Sequence, residues 1–544
     1  MLPRTSLLVL SQFKTFRSLW SASLVSNLGS LIEGVAAAWL MTSIAASSEM
    51  VALVQSSTTL PIMIFSLAAG VLADNFDRRR IMLVAQLLML CVSAALAFVV
   101  YAGTVTPWIL LVLTFMIGCG WALHDPSWHA SMGDIVSREH LQSAVELNSM
   151  SYNLMRCIGP AIGGIIVSIT GGAFAFLINV LCYFALIIAL WRWKPGPVPK
   201  SLPREPFSSA MIAGGRYVVL SKSLLSVMCR SFVFGVTAVV IRALLPLLSQ
   251  DHLRGNATTY GVMLGFFGLG ATCGALSHGR VRMVLSDEWV VHSTFFILAI
   301  ICVLLAWSPC VWLSCLILMM AGAAWVQVWP LFNVTVQLST PRWVVGRALS
   351  LYQAAAFGGM AAGSWIWGKL ADAQGVSGAL VIAGLALFSG GLIGIVLRQR
   401  NLEVPNLDPT NSFSEPVLQL ELPPRSGPIL VTVDYSIDQT DVSEFIIAMA
   451  MRRRALLRNG AVGWVLLRDL EECHIWTESY RVPTWVEYLR LNQRQTHADA
   501  EIAARLEALH RGNLPPKPRL KINPQTGGGG RAPTPRPCDR ADVP

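Results

Sequence analysis

The chain has 544 residues, of which 54% are hydrophobic and only 13% charged, and its mean hydropathy is +0.56. Soluble domains carry about a quarter of their residues as Asp, Glu, Lys and Arg, so this composition excludes that class and leaves a polytopic membrane protein. The formal net charge of +10 would suggest nucleic acid as a partner of a soluble chain; here the basic residues recur between apolar stretches, where they orient loops, and no nucleic-acid role is expected.

Twelve apolar stretches long enough to cross a bilayer follow one another near 18–43, 50–73, 81–103, 107–131, 148–170, 172–193, 224–249, 258–278, 287–307, 309–335, 347–370 and 376–397. The first is flanked by Arg4, Lys14 and Arg17. No small-residue cleavage site follows it, so it reads as a retained span and not a signal peptide. The second and third are joined by GVLADNFDRRR, Gly70 to Arg80. In that loop Gly70 allows close helix approach, Asp74 stands at a helix end, and Arg78, Arg79 and Arg80 hold the connection on one side of the membrane. The sixth and seventh are joined by the basic, Pro-containing KPGPVPKSLPREPF (194–207), which divides the membrane part into two six-span halves.

One set of loops carries Arg78 to Arg80, Arg138, Lys194, Lys200, Arg204, Arg280, Arg282, Arg342, Arg347, Arg398 and Arg400, and the opposite set little beyond Arg254 and Lys369. The positive-inside rule then puts both termini in the cytoplasm and the protein in the inner (plasma) membrane as a multi-pass protein. The halves echo each other. GALSHGRVRMV (Gly274 to Val284) is a degenerate copy of the Gly70 loop with His278 in place of the acid, and GPAIGG (Gly159 to Gly164) in span five matches in position Gly358, Gly359 and Gly363 in span eleven.

The Gly70–Arg80 loop resembles the loop motif of the major facilitator superfamily, G-x-x-x-D-[RK]-x-G-x-[RK]-[RK]: Gly70, Asp74, Arg79 and Arg80 match, while Asn75 and Asp77 depart. The run GCGWALHDPSWHASMGDIVSREHLQSAVELNSMSYNLMRCIGPAIGG from Gly118, with SNLGSLIEGVAAAWL (26–40) and GRALSLYQ (346–353), resembles the transmembrane-effector branch that includes the enterobactin exporter. Over roughly residues 10–400 this resemblance implies a twelve-helix, all-α major facilitator fold and proton-linked efflux. It also implies that the Gly70, Asp74, Arg78, Arg79 and Arg80 loop gates the cytoplasmic side. The element of Gly159, Pro160, Gly163 and Gly164 resembles that of superfamily exporters, with Met155 where an upstream glycine is usual, and so favours efflux.

An ionisable side chain inside a span costs roughly 2.5–3.5 kcal/mol on insertion scales and normally faces a cavity or a partner. Glu33, the one carboxylate expected near mid-membrane, reads either as a proton acceptor coupled to transport or as a packed structural residue. Arg156 in span five either pairs with Asp125 or binds an anionic, catecholate-like ligand. In span seven Arg230 is placed to snorkel, and Arg242 lies deeper and is a cavity candidate. His124, Asp125 and His129 in HDPSWH superficially suggest a metal site, but Pro126 interrupts the ligand spacing and no cysteine or second acid completes the set, so neither metal nor cofactor is expected. The eleven cysteines include no C-x-x-C pair and read as small packing residues, as around Cys91, Cys182 and Cys302. Trp20, Trp39, Trp108 and Trp289 read as interfacial anchors; Trp325, Trp329, Trp365 and Trp367 read either as packing or as lining of the substrate route.

After Arg400 the composition changes. The expected division is 1–193 for the first six-span half, 194–223 for the central loop, 224–400 for the second half, 401–426 for a linker, 427–512 for a small cytoplasmic α+β domain and 513–544 for a disordered tail. ILVTVDYSI (429–437) predicts a strand, DVSEFIIAMAMRRRALLRNG a helix ending at Gly460, the segment around Asp469 to Glu472 a hairpin, and TWVEYLRLNQRQTHADAEIAARLEALHRG one or two helices. That order suggests a ferredoxin-like module. The segment resembles the C-terminal domain of members of the same branch and, distantly, the dimeric barrels of antibiotic-biosynthesis monooxygenases. It carries no catalytic set, so regulation, homodimerisation or partner binding is expected and not enzymatic activity. Taken together, the sequence predicts a carrier that exports a small organic molecule, siderophore-like or drug-like, by proton-coupled alternating access. An importer of the same fold and a membrane-tethered sensor acting through the C-terminal domain are the alternatives.

Overall fold

A computed structural model describes residues 13–137, 140–194, 207–341 and 343–396, short pieces between 407 and 423, and residues 425–522. The expectations for Arg4, Arg138, Lys200, Arg204, Arg342, Arg398 and Arg400, for the side chain of Asp74 and for the chain beyond 522 lie outside the described residues.

Eleven described helices are long and apolar enough to cross a membrane. Spans one to six are Lys14–Ile44, Ser48–Asn75, Arg78–Tyr101, Pro107–Ile135, Leu141–Thr170 and Gly172–Arg192, and spans eight to ten are Ala257–Val284, Asp287–Ala306 and Val311–Leu338. The last helix, Val345–Val396, has 52 residues. At about 1.5 Å per residue it is more than twice the thickness of a bilayer core. It breaks at Gly375, whose φ of 74° only glycine adopts freely, so it supplies spans eleven and twelve.

Helix ends are capped where the chain leaves the apolar layer, because the terminal N–H groups have no partner inside the helix. Ser47 accepts from the Met50 N–H, Thr106 from Ile109 ahead of a span that opens on Pro107, and Asn256 forms a capping box with Thr259. Span seven runs from Lys222–Ala238 into Val240–Leu247 through Val239, which keeps helical angles (φ −61°, ψ −21°), and a π turn, Leu248–His252, ends the run.

The two halves use their glycines in the same way. In span five, Gly159 and Gly163 lie against Leu31 and Ile32 of span one, and Gly164 meets span eight, where an added Cβ would be 2.5 Å from the Ala257 carbonyl oxygen. In span eleven, Gly359 and Gly363 lie against Phe232 and Val236 of span seven, and Gly358 meets Met63 of span two. Spans five and eleven therefore each pack on the first helix of their own half and on a helix of the other half, as the duplicated sequence predicts. Pro160 has no N–H for the Arg156 carbonyl, and span eight brings Gly268 against that freed oxygen.

The chain divides into two compact units: the spans form one, and the other comprises Ser208–Leu225, Val336–Ala348 and Asn401–Pro544. In the second unit β1 (Ile429–Ser436), α1 (Val442–Asn459), β2 (Val462–Arg468), β3 (Ile475–Val482), α2 (Trp485–Gln493), α3 (His497–Leu509) and β4 (Arg519–Ile522) follow in order. The sheet order is β2-β3-β1-β4, antiparallel throughout. β4 lies in the stretch expected to be tail: Leu520 and Ile522 alternate onto the core face and pair with Val431 and Ile429. The expected linker is also packed, with Phe413, Leu418 and Leu422 against the cluster around Tyr480 and Trp485.

Glu478 is fully buried in this unit and fully partnered, accepting from the Arg452 guanidinium at 2.8 and 3.0 Å, from Trp464 Nε1 at 2.8 Å and from the Tyr435 hydroxyl at 3.4 Å. Burial alone would lower the Arg452 pKa, but the adjacent carboxylate outweighs it and holds the guanidinium charged beyond its ordinary range. The unit also holds a helix within the stretch expected to be a loop, Phe207–Leu220, and the connection between spans ten and eleven. Arg458 lies 4.9 Å over the Tyr217 ring and Arg494 3.9 Å over the Trp343 ring, while Tyr217 and Trp343 meet edge to face at 5.8 Å.

Candidate transport cavity

A cavity of about 430 Å³ lies within the helical unit and is lined from both halves. Spans one, two, four and five contribute Glu33, Gln55, Asp125 and Tyr152; spans seven, eight and eleven contribute Arg242, Tyr260 and Gln353. The size suits a small organic molecule. Below, the end of the bundle that carries Arg78 to Arg80 is the basic end and the opposite end the far end.

Glu33 is 4% exposed although it lines the cavity. Ser93 Oγ of span three donates to Oε1 at 3.1 Å, and Asn179 Nδ2 and the Tyr183 hydroxyl of span six, the latter at 3.4 Å, donate to Oε2. Asn179 also donates to Ser93 at 3.1 Å, and Ser30 meets Tyr183 at 3.3 Å. Among the described residues no cation joins this cluster, so hydroxyl and amide donors alone satisfy the carboxyl oxygens. Ser93, Asn179 and Tyr183 were not singled out from sequence; the signal available was an amide within the apolar run FLINVLCYF.

Arg156 and Asp125 form no ion pair. Asp125 instead meets His129 one turn on, at 3.6 Å, and Arg156 stands 5.9 Å from the Tyr152 ring. Arg242 lies in the second part of span seven and faces the cavity. Arg230 does not snorkel: it holds Glu288 of span nine at 2.9 and 3.0 Å, beside His292. Helix four runs unbroken through Pro126, so the interruption expected there does not occur. His124 is stacked on Trp128 and turned away from the Asp125–His129 pair, its Nε2 without a partner.

The arginines of the basic loop are engaged inside their own half. Arg78 donates to the Ala130 carbonyl and to Asp134 at 2.8 Å each, at the end of span four. Arg79 donates to the Leu190 and Trp191 carbonyls at 2.9 and 2.6 Å, satisfying the end of span six. Asp77, one of the two departures from the loop motif, caps span three through the Arg79 N–H. Gly70 meets span eleven, where its Cβ would be 2.9 Å from Ser350 Oγ.

At the far end the halves are tied by a contact that sequence reading did not find. The Asp372 carboxylate of span eleven accepts the Ser48 and Glu49 N–H groups at 2.5 and 3.0 Å, capping span two, while Trp365 Nε1 donates to Glu49 at 2.8 Å. Trp325 and Trp329 join an aromatic cluster with Phe234, and Trp367 donates to the Val236 carbonyl at 2.6 Å. None of Trp325, Trp329, Trp365 and Trp367 lines the cavity.

The sequence profile of a family described as transmembrane secretion effector matches residues 5–526. The chain is similar to the multidrug efflux pump Tap of Mycolicibacterium fortuitum, 24% identical over 397 residues that cover 70% of this chain and 96% of the relative. It is 24% identical to the staphyloferrin A transporter of Staphylococcus aureus over 260 residues, covering 47% of this chain and 65% of the relative. With macrolide efflux protein A of Streptococcus pyogenes the identity is 23% over 314 residues, 54% of this chain and 77% of the relative. In fold it is similar to the nucleoside transporter NupG, with a TM-score of 0.59 at 12% identity over 71% of this chain and 100% of that one.

Proposed function

The chain belongs to the transmembrane secretion effector family of the major facilitator superfamily, and from that premise we propose that it exports a small organic molecule, siderophore-like or drug-like, by proton-coupled alternating access. The observation that carries the reading is the cavity shared by both halves, with Glu33 and Arg242 on its wall. In alternating access the halves rock about such a site. The relatives named as efflux pumps and as a siderophore transporter support the direction and the substrate range.

In this reading the basic end is cytoplasmic, following the charge of its loops, and the membrane is the inner membrane. Glu33 is the proton acceptor: its donors serve the ionised form, and protonation requires at least one hydroxyl to turn. Gly159, Pro160, Gly163 and Gly164 form the sliding surface between halves, and the Gly70 loop with Asp74, Arg78, Arg79 and Arg80 sets the cytoplasmic gate. The second unit regulates or dimerises the carrier.

The test is a screen for compounds that accumulate less in expressing than in non-expressing cells, followed by uptake into inside-out vesicles driven by a pH gradient. Gradient-driven uptake into such vesicles is expected. Uptake only into right-side-out vesicles would mean an importer, and a complete loss of activity on deleting residues 401–544 would favour the sensor.

A further inference from the structure

Arg242 and Arg156 differ from Arg78, Arg79, Arg230 and Arg282, whose partners belong to the protein itself. Arg78 has Asp134, Arg79 has two carbonyl groups, Arg230 has Glu288 and Arg282 has Asp287. Among the described residues neither Arg242 nor Arg156 makes a hydrogen bond or an ion pair, and Arg156 has only the Tyr152 ring at 5.9 Å. Arg242 lines the same cavity as Tyr152 and Tyr260, and Tyr152 is the ring that Arg156 approaches.

The two acids on the cavity wall do not answer them. Glu33 is held by Ser93, Asn179 and Tyr183, and Asp125 by His129. A guanidinium on the cavity wall that no protein carboxylate pairs leaves a place for an anion to complete the site. Guanidinium donors favour a planar oxyanion taken side-on. The neighbouring faces are aromatic: Tyr152, Tyr260, Trp121 and Phe357 line the same cavity.

We propose that Arg242, with the rings of Tyr152, Tyr260, Trp121 and Phe357 and with Arg156 behind Tyr152, forms a subsite for an aromatic acid, its carboxylate held by Arg242 and its ring by the aromatic wall. This rests on reading the cavity as the transport site and adds the charge and shape of the ligand.

The experiment uses the purified full chain in detergent, titrated calorimetrically with salicylate and with salicylamide, its uncharged analogue. Salicylate is expected to bind at least tenfold more tightly. Arg242→Gln is expected to abolish that preference, Arg156→Gln to weaken it, and Arg242→Lys to keep part of it. A ligand-free melting curve separates this from misfolding, because Arg242→Gln removes an uncompensated charge and is expected to melt no lower than the parent chain. Equal binding of the two compounds, failure of salicylate to bind, or a preference that survives in a folded Arg242→Gln protein would overturn the subsite. Vesicle uptake of another compound alongside such a result would leave the export reading standing; salicylate binding with no transported compound would do the reverse.

Discussion

Asp372→Asn probes the tie between the halves at the far end. The carboxylate accepts the Ser48 and Glu49 N–H groups, both orphan donors of the first turn of span two. Asparagine keeps one acceptor oxygen, so one of these bonds is lost, together with the charge that faces the helix N-terminus. A net hydrogen bond to a charged group contributes about 1.5–3 kcal/mol and the helix-end charge about 0.3–1 kcal/mol. Both bonds are solvent-exposed, which screens them, and a combined loss of about 1–2 kcal/mol follows. That is a factor of roughly 5–30 in a two-state equilibrium. Spin labels at Ala46 and Gln374, both exposed positions at this end, report the separation by pulsed dipolar spectroscopy. The substitution is expected to shift population from the short to the long distance by that factor. An unchanged distance distribution in folded protein would refute the idea that Asp372 holds the far end closed.

Glu33→Gln retains hydrogen bonding but cannot exchange a proton, and is expected to bind substrate while losing pH-driven accumulation in vesicles; unchanged accumulation would make Glu33 structural. Arg79→Ala leaves the last carbonyls of span six without their donors and should lower stability by about 1–3 kcal/mol, read from denaturant midpoints, with Lys recovering part of the loss. Trp343→Ala removes the ring beneath Arg494 and beside Tyr217, at about 0.5–2 kcal/mol, and is expected to speed limited proteolysis of the segment after Arg400. Truncation after Gly512 deletes β4 and uncovers the β1 edge; the second unit should then melt at lower temperature, and an unchanged transition would show that β4 is dispensable.

The sequence alone determined the apolar spans and the positions of the close helix crossings. Those features are written in one dimension: a span needs about 20 apolar residues, a turn near the basic end needs charge, and a crossing needs glycine. It also located Glu33, Arg156 and Arg242 as the costly residues, because a charge within an apolar run stands out in any reading.

Which partner each charge meets was decided only in the tertiary structure. Helix rotation brings Ser93 and Asn179 to Glu33 across 60 and 146 positions of chain, and turns Arg156 away from Asp125, which sequence reading had offered as its counter-ion. It binds Arg78 and Arg79 within their own half and brings Asp372 to span two across 324 positions. β4 was invisible for a related reason: four residues flanked by proline and glycine carry too short an alternation to announce a strand, and only the open edge of β1 makes them one. Apolar transfer energy is read residue by residue along the chain, whereas the pairing of polar groups depends on how rigid helices settle against one another, and that is a property of the whole bundle.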